Sequence, residues 1–155
     1  MSTLYNEITI AATVSDIWNV LSKVDELDKY DPTVLRSEAT TVDNTGTGAA
    51  RKVAMKDGKN WFEEKVTIFN PGKNLAFELT ACSFPVHQLK HSYSFETKNN
   101  YTVVRQVMEY RMKYGLLGKL LDSLIVRKQS DKGIKQFFAG LKAYVEKNNA
   151  QNGLQ

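Results

Sequence analysis

The stretch KDGKNWFEEKVTIFNPGKNLAFEL, Lys56–Leu79, reads as three strands joined by two tight turns, Asp57-Gly58 and Pro71-Gly72. Side chains alternate along a strand, so Phe62, Glu64, Val66 and Ile68 share one face. Three of the four are apolar, and a carboxylate among them needs a partner, because burying it alone is costly or forces its protonation. A two-residue turn at Asp57-Gly58 sets Val53 opposite Phe62 and Arg51 opposite Glu64. A two-residue turn at Pro71-Gly72 sets Ile68 opposite Leu75, Val66 opposite Phe77 and Glu64 opposite Leu79. Apolar residues meet apolar residues in both hairpins, which favours both registers. Arg51 then lies across from Glu64 and can share two hydrogen bonds with it.

Outward from this hairpin pair the pattern continues. LYNEITIAA (Leu4–Ala12) alternates as a strand. Thr13 is placed to cap a following helix, with Asp16 three residues on and an apolar stripe of Ile17, Val20, Leu21 and Val24. DELDKYDP gives a second short helix or turn that stops at Pro32. Strands are expected at about 34–42, 48–56, 59–69, 73–81, 86–96 and 101–114, each junction carrying turn residues short enough for antiparallel neighbours. From Leu116 the period changes. Leu117, Leu120, Leu121 and Leu124, then Ile134, Phe137, Phe138, Leu141 and Val145, mark a long amphipathic helix from about Gly115 to Lys147. Its stripe turns polar at Arg127, Lys128 and Asp131, where the helix bends or faces water, and Gly140 allows close approach to the sheet. NNAQNGLQ is expected to fray.

Composition limits the function classes. With 155 residues, 42% hydrophobic and 25% charged, the chain suits one α+β domain with a real core. A single cysteine, Cys82, excludes an internal disulfide and points to a reducing, cytoplasmic setting. Two histidines and one cysteine offer no zinc spacing, and neither a signal peptide nor a membrane span is visible. The net charge of +4 is interspersed, and no strand offers the basic, aromatic-laced stripe of a nucleic-acid binder.

The next two strands supply further inward residues. VHQLKHSYSFE carries His87, Leu89, His91, Tyr93 and Phe95 on one face, and YTVVRQVMEYRMKY carries Val104, Met108, Tyr110, Met112 and Tyr114. Placing Leu79 near His87 gives a row across the sheet: Arg51, Glu64, Leu79, His87, then Met112 or Tyr110. His87 and His91 lie about 13 Å apart at roughly 3.3 Å per residue, too far for one metal ion, and read as satisfied core or cavity-wall groups. For Arg51–Glu64 three readings stand: an ion pair at a partly wet sheet edge, a pair orienting a polar ligand head in a cavity, or Glu64 as a general acid or base.

The order of elements resembles the START/Bet v 1-like helix-grip superfamily, in its polyketide cyclase/dehydrase-like branch. The resemblance rests on ITIAATVSDIWNVLSKVDELDKYDP, GTGAARKVAM, WFEEKVTIFNPGKNLAFEL and GLLGKLLDSLIVRKQSDKGIKQFFAGLKAYVEK, and covers nearly the whole chain. It implies a helix-grip fold over residues 1–147: a seven-stranded curved antiparallel sheet wrapped around a long C-terminal helix, with two short helices between strands 1 and 2. It also implies a hydrophobic cavity, here walled by Arg51, Val53, Phe62, Glu64, Val66, Phe77, Leu79, His87, Leu89, His91, Met108, Tyr110, Met112, Leu121 and Leu124. Expected are binding or carriage of a small hydrophobic ligand (lipid, polyketide or quinone-like) by a monomer or weak dimer, with no cofactor, metal, nucleic acid or stable membrane insertion. The alternatives are a cyclase/dehydratase-type enzyme acting in the same cavity and a protein-interaction module of chaperone-activator type.

Overall fold

The protein, described by a computed structural model over residues 1–121 and 125–153, begins with β1 (Ser2–Ile10), two residues earlier than the alternation suggests. Thr13 caps α1 (Val14–Leu21) in a full capping box: its hydroxyl accepts from the Asp16 amide, and the Asp16 carboxylate accepts from the Thr13 amide, both at 3.2 Å. A 3-10 helix (Val24–Lys29) follows. Then come β2 (Val34–Ala39), β3 (Ala50–Met55), β4 (Trp61–Asn70), β5 (Asn74–Cys82), β6 (Val86–Lys98) and β7 (Tyr101–Met112). The strands form one curved antiparallel sheet in the order β1-β7-β6-β5-β4-β3-β2. The helical segment between β1 and β2 therefore carries the chain from one edge of the sheet to the other.

The helix expected over 115–147 is present as α2 (Gly115–Leu121) and α3 (Arg127–Asn152), the latter extending past Lys147 into what reads as a frayed tail. On α3, Ile134, Phe137, Phe138, Leu141 and Val145 are buried as the stripe requires. Phe137 lies 5.9 Å from the Tyr30 ring and 6.1 Å from Tyr93, and Trp18 of α1 meets Phe69 and Phe95 edge-on. The α2 half behaves differently. Leu117 and Leu120 are 72% and 59% exposed, so they do not form the inner stripe that their spacing suggests. Leu124 and the side chain of Leu121 lie outside the described residues. In the polar turn, Arg127 reaches the Thr3 carbonyl and Asp131 pairs with Lys135 at 2.7 Å.

α3 also covers the free edge of β1. Lys142 Nζ donates to the Thr9 carbonyl, and Glu146 Oε1 accepts from the Ala11 amide, each at 2.9 Å. Gly140 does permit a close approach, but to the loop after the 3-10 helix rather than to the sheet. A Cβ there would stand 1.9 Å from the Tyr30 carbonyl oxygen and 3.0 Å from the Pro32 ring. Backbone cannot retreat as a side-chain tip can. Gly140→Ala should therefore lower stability by about 1–3 kcal/mol, the usual cost of overpacking, despite the better helix propensity of alanine. Urea denaturation checks this, and an unchanged or raised midpoint would contradict the contact.

Candidate functional site

The strand registers bring one polar network into the sheet's apolar inner face. Arg51 pairs with Glu64 and Val53 with Phe62 across β3 and β4, the expected register, although the connection is the loop 56–59, in which the Gly58 amide donates to the Met55 carbonyl at 3.3 Å. Gly58 supplies the positive φ of 72° that this turn needs. Across β4 and β5, Val66 meets Phe77 and Glu64 meets Leu79, but Ile68 meets Ala76 instead of Leu75. The reason is a three-residue turn, Pro71–Lys73, closed by the Lys73 amide on the Asn70 carbonyl at 2.9 Å, whose extra residue is cancelled by a bulge at Thr67.

The β5–β6 register differs from expectation by two residues. Phe77 meets His91, and Leu79 does not meet His87. A further bulge falls at His87, between Val86 and Gln88, and leaves that side chain exposed. His87 is thus no part of the site, and His91 takes its place.

Arg51 Nε donates to Glu64 Oε1 at 2.8 Å and Nη2 donates to the same oxygen, while His91 Nε2 lies 2.7 Å from Glu64 Oε2. Arg51 is 4% exposed and Glu64 2%, so the pair is not at a wet sheet edge. Burial pushes the Glu64 carboxyl up, but the Arg51 guanidinium and the His91 ring outweigh it and hold the group down at about 2. Arg51 has its own proton held more firmly by Glu64 against the opposing effect of burial.

A carboxylate only accepts, so His91 Nε2 carries a hydrogen. In the neutral ring Nδ1 then accepts from the Tyr93 hydroxyl at 3.1 Å, and that oxygen accepts from Gln106 Nε2 at 2.9 Å. Gln106 Oε1 in turn accepts from Asn6 at 3.4 Å. The donors run one way, from β1 through β7 and β6 to the carboxylate on β4. Phe77 on β5 fills the gap in the chain. His91 stacks on its ring at 5.2 Å and 14°, and the Arg51 guanidinium carbon lies 4.7 Å from its centroid. The Arg51 Nη1 group reaches the Val24 carbonyl at 3.4 Å. Burial raises the pKa of both the Tyr30 and Tyr93 hydroxyls, which keeps both protonated, Tyr30 accepting from the Arg51 guanidinium.

The network is therefore closed. Both Glu64 oxygens are occupied and its charge is fixed at neutral pH, which makes it a poor proton acceptor. Among the described residues, no group of three or more His, Cys, Asp or Glu stands together as a metal site. The remaining sequence-derived wall residues divide in two. Val53, Val66, Phe77 and Tyr110 are buried with the network, whereas Phe62, Leu79, Leu89, Met108 and Met112 are half-buried. Tyr93, Tyr30 and Gln106 belong to the network although the sequence reading does not place them in it. For Gln106 a signal was available: it falls between Val104 and Met108 on the inward period of β7.

Sheet, grip helix and inward network define a helix-grip protein, and solved structures agree. A protein from Thermus thermophilus superposes with a TM-score of 0.77 at 16% identity, covering 93% of this chain and 97% of that one. A START superfamily protein from Mycobacterium smegmatis gives 0.75 at 13% identity, covering 94% and 97%. The crystal structure of Ara h 8.0201 gives 0.75 at 17% identity, covering 93% and 97%. No curated protein sequence matches the chain. A family model described as polyketide cyclase / dehydrase and lipid transport matches residues 1–146, and the chain belongs to that family, within the START/Bet v 1-like superfamily.

Proposed function

We propose that the protein binds and carries a small hydrophobic ligand between the inner sheet face and the α2–α3 segment. The supporting observation is the rank of half-buried apolar side chains, Phe62, Leu79, Leu89, Met108 and Met112, beside a fully satisfied buried network. Apolar groups left partly open next to a rigid polar floor are what a hydrophobic ligand would cover. Methionine's flexible thioether adapts to varied apolar shapes. In this reading Arg51, Glu64 and His91 hold the floor in shape and do not touch the ligand. The family description supports the lipid and polyketide classes; the quinone-like class rests on the superfamily resemblance alone.

Native mass spectrometry of protein purified from its own host is the test. A copurifying apolar molecule is expected, and Met108→Trp should displace it by filling the space while the fold is retained. A ligand-free protein that also fails to bind an apolar fluorescent probe would overturn the reading.

A further inference from the structure

The α2 helix presents an apolar face that the folded chain does not cover. Leu116 is 83% exposed, Leu117 72%, Leu120 59%, and Ile125 a few residues on 50%. At about 100° per residue the three leucines fall within roughly one quadrant of α2, so they form a single face. The chain enters this helix through Tyr114 and Gly115, both at positive φ (71° and 52°), and Tyr114 is itself 71% exposed. An aromatic residue in that region of backbone space is disfavoured, so the entry to α2 is a specified turn and not a relaxed one.

Charge is concentrated in the same stretch of sequence. Between Arg111 and Lys135 the chain has seven basic and two acidic residues, a net of +5, whereas the whole chain is only +4. The rest of the molecule is therefore slightly acidic. One of the two acids, Asp131, is already paired with Lys135. Arg111, Lys113, Lys128 and Lys132 are exposed. Aliphatic side chains on one face of a short helix, with exposed cations in the flanking sequence, match a surface with an apolar interior and anionic headgroups.

We propose that the α2 face docks on an anionic lipid bilayer, with Leu116, Leu117, Leu120 and Ile125 entering the interfacial layer and Lys128 and Lys132 meeting the headgroups. The docking is peripheral: among the described residues no helix is long and apolar enough to cross a membrane. This goes beyond ligand carriage and stands without it, since docking needs no occupied cavity.

Co-sedimentation of the full chain with vesicles, in the absence of added ligand, tests it. Binding is expected to phosphatidylcholine vesicles doped with phosphatidylserine, not to phosphatidylcholine alone, and should fall as salt is raised. Replacing Leu116, Leu117 and Leu120 together by serine should lower partitioning by about tenfold or more without lowering the thermal midpoint. Lys128→Glu with Lys132→Glu should abolish the preference for anionic vesicles. Absent vesicle binding, equal binding to both compositions, or self-association through the leucines would overturn the proposal. So would a serine variant that unfolds, because the leucines would then be core. Ligand copurification measured on the same samples is a separate readout, so either proposal can fail alone.

Discussion

Arg51→Met should destabilise the protein by about 3–5 kcal/mol, because it leaves a buried carboxylate without its cation. The pair is deep, not screened by water, so the discount that applies to surface ion pairs does not apply. The pH dependence should also shift. In the parent protein the Glu64 carboxyl is held at about 2, below its ordinary 4.5. The stabilisation this represents is complete above about pH 4.5 and is lost as the pH falls toward 2. In Arg51→Met only His91 still opposes burial, so the folded-state value rises from where Arg51 holds it. The variant's destabilisation relative to the parent should be smallest in acid, where Glu64 is protonated, and should grow as the pH rises and the carboxylate ionises. Adding Glu64→Gln should recover part of the loss, since no lone charge remains. Denaturant midpoints measured from about pH 2 to 8, an interval that reaches the parent's Glu64 titration, decide it. A loss below about 1 kcal/mol would show that water reaches the pair.

Phe138→Ala should cost about 3–5 kcal/mol, the range for emptying a buried aromatic site. Phe138 is 4% exposed and packs 5.3 Å from Phe137 on the stripe that holds α3 to the sheet. Phe138→Leu should recover most of the loss, because the larger aliphatic side chain fills much of the space. Reversible urea unfolding gives both values. An alanine cost under about 1 kcal/mol would place the ring outside the core.

The hairpins around Glu64 illustrate what local sequence can specify. The loop 56–59 is centred where the expected Asp57-Gly58 turn lies, so the β3–β4 register is the expected one and Arg51 is found opposite Glu64, although the turn itself is longer. At Pro71-Gly72 the same logic reaches the right partner for Glu64 through two compensating departures, a longer turn and the Thr67 bulge. No compensation occurs between β5 and β6, so His91 fills the place that the alternation alone gives to His87. Bulges are invisible to a period-two reading because they insert one residue without changing the alternation on either side. The helix shows the complementary limit. Apolar spacing identifies Phe137, Phe138 and Leu141 as buried, but the same spacing at Leu117 and Leu120 occurs on a face left open, and periodicity cannot say what an apolar face meets. Tyr30 joins Arg51 from a loop far away in sequence, and no local pattern marks such a contact.

An open seven-stranded sheet has two unpaired margins, each able to recruit a strand from another molecule. The β2 margin is short, broken by the irregularity between Val34 and Arg36, and carries the charged pair Arg36 and Glu38. The β1 margin is long and regular, and its protection is borrowed: Arg127 and Lys142 of α3 reach its Thr3 and Thr9 carbonyls, and Glu146 takes the Ala11 amide just past its end. Detachment of α3 would strip this cover along with the core contacts. Misassembly into intermolecular β-structure is therefore governed by how firmly the C-terminal helix is seated, and changes at Lys142 or Glu146 that barely alter folding free energy would still alter the tendency to aggregate.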